Sequence, residues 1–201
     1  MKQQIFLLSA IVLLGCTDSP KQTEASQPTD SLSVDTVHPA PAEPAHKHVK
    51  GTVGDGTSMN VIEIVDAENG DTLYVTTPAQ MIVGGVRAGE ELDIVYTEGE
   101  EDYIGLVSVN LTALTKVWNR QNEFGVKQSM ELRPDGTVNT WNMGSAAYDS
   151  WKLEGGKLLL QTPAVAASEI KAHTDTFLIM SLNTEQLILS NNGSDIVYHR
   201  K

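Results

Sequence analysis

The chain has 201 residues, with 26 acidic against 14 basic side chains and a formal net charge of −12. That balance argues against a nucleic-acid binder, whose phosphate backbone needs a basic groove, and against docking on an anionic bilayer surface. The single cysteine, Cys16, rules out a disulfide within the chain.

At the N-terminus Lys2 precedes an apolar run over residues 5–12, which continues through Leu13-Leu14-Gly15 to Cys16. A positive start, a short apolar core and small residues before a cut point are the layout of a secretory signal. The run is well short of the roughly 20 apolar residues a transmembrane helix requires. A reactive thiol needs a folded environment that lowers its pKa, and this fringe supplies none. Leu-Leu-Gly-Cys resembles the lipobox of bacterial lipoproteins. The resemblance implies a signal peptide at 1–15, cleavage before Cys16, and acylation of that cysteine. The expected location is the cell envelope, anchored by lipid. Thr17 after the cysteine resembles the outer-membrane class, and Asp18 resembles an acidic surface-export signal only weakly.

Residues 16–47 read as a tether. Five of the eight prolines fall here (Pro20, Pro28, Pro39, Pro41 and Pro44), among Ser, Thr, Ala and Gln. Such a segment cannot bury enough surface to offset its chain entropy, and the proline repeat favours a semi-rigid spacer. His46 and His48 could ligate a transition metal, but two imidazoles alone make a poor site.

From residue 48 onward short alternating runs separated by turn residues predict an all-β protein of two small antiparallel units. In the first, at 48–115, strands are expected near residues 49–53, 60–66, 72–77, 91–97 and 104–112. Asn69-Gly70 is a hairpin signal, because both residues tolerate positive φ. Five strands with a connecting piece between the third and fourth resemble a small OB-like barrel. Its charge opposes the nucleic-acid role common to such barrels: Lys50 and Arg87 stand against twelve acids, a sum of −10. The acidic run 98–102 could converge carboxylates on calcium. It lacks a spaced calcium-loop pattern, and acid-rich hairpin tips also discourage edge pairing.

The second unit, at 117–201, carries eight basic and nine acidic residues. Strands are expected near 129–133, 138–142, 150–154, 157–161, 175–182, 186–190 and 195–199, giving an up-and-down barrel or a sandwich. Glu131-Leu132-Arg133-Pro134-Asp135-Gly136-Thr137, Asn142-Met143 and Tyr148-Asp149-Ser150-Trp151-Lys152-Leu153 resemble bacterial lipocalin-like domains. Lys157-Leu158-Leu159-Leu160, Thr174-Asp175-Thr176-Phe177 and Tyr198-His199-Arg200 continue the resemblance. Such domains are frequent among lipoproteins of the Bacteroidetes, and the resemblance implies a binding fold. The unit is shorter than a full lipocalin, which leaves less room for an internal cavity. Envelope-stress lipoproteins that join a lipocalin-like barrel to an OB-like domain offer a distant parallel, without their cysteine metal motif.

All three tryptophans lie in this unit, so Trp118, Trp141, Tyr148 and Trp151 are the candidate ligand contacts. Indole rings offer stacking surface with a polar N–H, although a small barrel also needs bulky residues to fill it. Trp151 sits on the apolar side of its strand, as a core residue would; Trp141 lies between polar neighbours. His173 and Asp175 share a strand face and could pair. No nucleophile elbow, phosphate loop, dinucleotide fingerprint or paired-cysteine metal site occurs, so neither catalysis, cofactor nor metal is expected. Two readings follow. One is a module holding a small apolar or amphipathic ligand near the membrane. The other is an interaction lipoprotein whose acidic unit docks an envelope protein.

Overall fold

The computed structural model describes residues 45–100, 102–144, 147–163 and 172–200. The signal segment, Cys16 and the tether up to residue 44 lie outside these residues, as does Glu101 of the acidic run. Two β-barrels in one compact unit make up the described structure.

The first barrel uses β1 (Lys47–Val53), β2 (Val61–Asp66), β3 (Thr72–Thr76), β4 (Ile82–Val83), β5 (Glu91–Glu98) and β6 (Tyr103–Asn110). Strand β1 lies between β2 and β5, and β6 lies beside β5. The ring of five closes where β3 runs parallel to β6, at Val75↔Tyr103 and Thr76↔Ile104. Two-residue β4 adds to β6 in parallel beyond that closure. Alternation of period two turns Val49, Val53, Ile62, Ile64, Val75, Leu92, Ile94 and Tyr96 into one buried cluster. The small radius demands a glycine in β1, since a Cβ on Gly51 would lie 2.1 Å from the Val65 carbonyl oxygen.

The last strand stops earlier than its alternation suggests. The Asn110 side-chain oxygen accepts a hydrogen bond from the Ala113 N–H at 2.8 Å, capping a single helical turn, α1 (Leu111–Leu114). Leu111 and Thr112 are therefore helical, not extended, because the cap satisfies an amide that a strand would have to pair elsewhere.

The second barrel comprises β7 (Val117–Gln121), β8 (Lys127–Leu132), β9 (Val138–Trp141), β10 (Ser150–Glu154), β11 (Lys157–Thr162), β12 (His173–Leu182), β13 (Gln186–Asn191) and β14 (Ser194–Arg200). Consecutive strands pair antiparallel, and β14 returns to β7. The seam between β9 and β10 is spanned by the isolated bridge Thr137↔Ser150, leaving the barrel nearly closed. Strand β7 does not stand out in the sequence, where Val-Trp-Asn-Arg-Gln shows no clean alternation.

Side chains fill the interior of this barrel. Trp118, Met130, Leu158, Leu160, Leu187 and Leu189 have no exposed surface, and Leu132 and Phe177 are buried beside them. Val109 and Leu114, from β6 and α1, belong to the same cluster, so the first barrel and its helical turn close one end of the second. No helix among the described residues is long and apolar enough to cross a membrane.

Candidate ligand-binding site

The four aromatic candidates do not share one pocket. Trp118 on β7 points into the barrel, and its indole N–H donates to the Leu114 carbonyl at 2.8 Å. Trp151 on β10 packs partly against the core and donates its N–H to the Arg133 carbonyl at 2.8 Å. Tyr148 precedes β10, is buried, and donates its hydroxyl to Asp175 Oδ2 at 2.8 Å. Burial, then the Asp175 hydrogen bond and charge, push the Tyr148 phenol well above the ordinary tyrosine range. Three of the four polar handles are thus consumed within the fold.

Trp141 differs. It ends β9, is 47% exposed, and its indole N–H has no partner among the described residues. Left-handed Asn142 follows it and donates its side-chain amide to the Lys127 carbonyl at 3.0 Å, holding the end of β9 against β8. Cross-strand register then builds a row on the outer wall: His199↔Asn119, Asn119↔Ser129 and Ser129↔Trp141. Four strands at about 4.8 Å spacing make this row about 14 Å long.

Beside the row the wall parts. Strands β14 and β7 pair only at His199↔Asn119 and Arg200↔Trp118, and beyond those pairs a depression of about 460 Å³ opens. It is lined by Asn119, Arg120, Gln121, Lys127, Val197 and His199. A second depression of about 290 Å³ is lined by Val117, Asn119, Lys127, Ser129 and Trp141. Asn119 and Lys127 line both, so the two adjoin. Asn119 is 9% exposed; its oxygen accepts from Ser129 Oγ at 2.8 Å, while its buried amide nitrogen has no partner among the described residues. Lys127 makes no ion pair among them either. The flank therefore offers an exposed ring, two valines and an ammonium without an ion pair among the described residues.

A separate polar network lies toward the end of the barrel away from α1. The Arg120 guanidinium sits 5.5 Å over the Tyr198 ring and donates from Nε to Gln128 Oε1 at 2.8 Å. His173 Nε2 meets Asp175 Oδ1 at 3.0 Å, the pairing that their two-residue spacing suggests. No serine or cysteine among the described residues hydrogen-bonds to His173, and Asp175 also serves Tyr148. Tyr148, Asp175 and His173 thus form one hydrogen-bonded network. His48 Nε2 is likewise engaged, by Asp93 Oδ2 at 2.8 Å, and no metal-ligating cluster of three or more groups occurs among the described residues.

A family model described as lipocalin-like matches residues 108–201. The C-terminal barrel is a lipocalin-like domain. Among solved structures, a lipocalin-like protein from Bacteroides thetaiotaomicron is 28% identical, over 44% of this chain and 96% of that chain, with a TM-score of 0.38. No curated protein matches the chain. The flank of the lipocalin-like domain includes Asn119 and Lys127, which no sequence motif picks out, and His199, which lies in the closing Tyr198-His199-Arg200 run. Their common feature is a shared outer face across β14, β7 and β8, and that face exists only once the strand register is known.

Proposed function

We propose that the protein is a non-catalytic binding module of the cell envelope, held by a lipid on Cys16, probing small amphipathic solutes with the flank of its lipocalin-like domain. One observation carries the ligand part of this reading: an exposed tryptophan, Trp141, lines the same depression as Asn119 and Lys127, and Lys127 makes no ion pair among the described residues. The barrel interior is an unsuitable place for an apolar guest, because admitting one would require expelling a core that includes Trp118, Leu158 and Leu160. On the flank, Trp141, Val117 and Val197 would shield an apolar segment, and Lys127 would meet an anionic head. Ligand sites of this kind combine apolar lining with a few placed polar groups.

The anchor is carried by the sequence before Cys16. Burying acyl chains gains about 0.8 kcal/mol per CH2, so several chains hold firmly. Labelling with a palmitate analogue tests it: wild type should label and Cys16→Ala should not. For the ligand, titrating dodecanoate into detergent-free protein beginning at Thr17 should give measurable heat. Trp141→Ala should weaken binding about tenfold, the scale of one aromatic contact. Lys127→Met should weaken it less, and that loss should shrink with added salt. Equal affinity in wild type and Trp141→Ala would overturn the flank site.

A second reading has its own support. The acidic first barrel exposes Val65, Tyr74, Tyr103 and Ile104, with Tyr74 56% and Ile104 44% exposed. Tyrosine and isoleucine amid acidic residues suit a protein partner with a basic rim.

A further inference from the structure

The cleft where the two barrels meet is built from four separate segments of the sequence. It has a volume of about 270 Å³, and its lining includes Gly84, Gly85, Arg87 and Glu90 from the first barrel, Lys116 from the link, and Thr184 and Arg200 from the second barrel. Arg87, Lys116 and Arg200 converge there against one carboxylate, Glu90. That is a local excess of two positive charges in a chain of net charge −12. Arg87 is moreover one of only two basic side chains in residues 48–115.

The cations are not spent on one another's neighbours. Neither Arg87 nor Lys116 makes an ion pair among the described residues. Arg200 donates from Nη1 only to the Thr184 carbonyl at 3.2 Å. Glu90 is already engaged, because Asn110 Nδ2 donates to its Oε2 at 2.8 Å. The same Asn110 nitrogen reaches the Gly84 and Gly85 carbonyls at 3.3 and 3.0 Å, while Asn110 itself has no exposed surface. One buried amide therefore fixes the cleft's glycine wall and turns its single acid aside. Gly84 is left-handed, with φ of 94°, and a Cβ there would lie 2.8 Å from both Asn110 Cβ and Leu182 Cδ2. The wall is thus pinned between the barrels and does not depend on a mobile loop for its shape.

We propose that this cleft binds a small multivalent oxyanion, a phosphate group or clustered carboxylates, bridging Arg87 and Lys116 to Arg200 and so tying the two barrels together. Concentrated like charge costs stability when unpaired, and a guest that neutralises it across two elements relieves that cost. Guanidinium groups suit oxyanions through parallel N–H donors, and the lysine adds a point charge. This site is distinct from the flank groove and stands independently of it.

Calorimetry on the full acylated chain in a neutral detergent tests the proposal, with inorganic phosphate and citrate as probes and sodium chloride at matched ionic strength as reference. Saturable binding and a raised Tm are expected with at least one probe. Arg87→Ala and Lys116→Met should each weaken that binding about tenfold, and together far more. Lys157→Met, which removes an exposed positive charge at the start of β11, should leave it unchanged. Tm values without probe will show whether the variants fold. No saturable binding of either probe beyond the chloride reference would overturn the site. So would an equal loss in Lys157→Met, since general charge would then explain the effect.

Discussion

Tyr148 illustrates how a single side chain is committed. Its ring closes the barrel core and its hydroxyl donates to Asp175, so burial and a nearby carboxylate both favour the neutral phenol. An unfolded tyrosine ionises near pH 10, whereas the folded one keeps its proton to higher pH. The stabilisation is fully present below about pH 10 and is lost as pH rises through the folded pKa. Tyr148→Phe should cost about 1–2 kcal/mol at pH 7 through the lost hydrogen bond. It should also flatten the fall in stability above pH 10, as urea unfolding at pH 7 through 11.5 would measure. An unchanged alkaline slope would mean that burial does not hold the proton. Part of this is legible in the chain: Trp151 alternates with polar neighbours and lies toward the core, and His173 and Asp175 pair as their spacing suggests. That Tyr148 meets Asp175 is not legible, since 26 residues that include β10 and β11 separate them in sequence.

Among the elements, the strands that could be read were those with clean alternation and clear turns. Residues 150–154 are extended as expected, and Arg133-Pro134-Asp135-Gly136 does turn β8 into β9, with Gly136 at positive φ and its N–H bonded to the Arg133 carbonyl at 3.0 Å. Strand β7 escaped because both of its faces carry polar groups. Trp118 fills the core, while Arg120, on the same face, turns to Tyr198 and Gln128. The helical turn α1 escaped for a different reason. Val109, Asn110 and Leu111 continue the β alternation, and only the folded position of Asn110 reveals that its side chain caps Ala113 and reaches the glycine wall. Asn110 therefore does at element scale what no local pattern predicts, ending a strand and setting the joint between barrels. The flank groove has the same origin, since it comes from register across β14, β7, β8 and β9 and not from any one of them.

At the scale of the whole molecule, two filled barrels share a joint, and the chain's charge is distributed unevenly around it. The acidic excess sits in the first barrel, while Arg87, Lys116 and Arg200 line the cleft at the joint. A lipocalin-like domain of this size spends its interior on stability, because Trp118, Leu158, Leu160, Leu187 and Leu189 occupy the space a larger barrel would leave for a guest. The proposed binding is accordingly on surfaces that strand register creates. The three indole N–H groups separate this account from an interior site, since Trp118 and Trp151 are hydrogen-bonded within the fold and Trp141 is not. Proton–nitrogen correlation spectra of the chain from Thr17 onward, recorded during a dodecanoate titration, read all three at once. The Trp141 indole signal should shift saturably while those of Trp118 and Trp151 stay in place. Movement of the Trp118 signal with Trp141 unmoved would contradict the flank site and put the ligand inside the barrel.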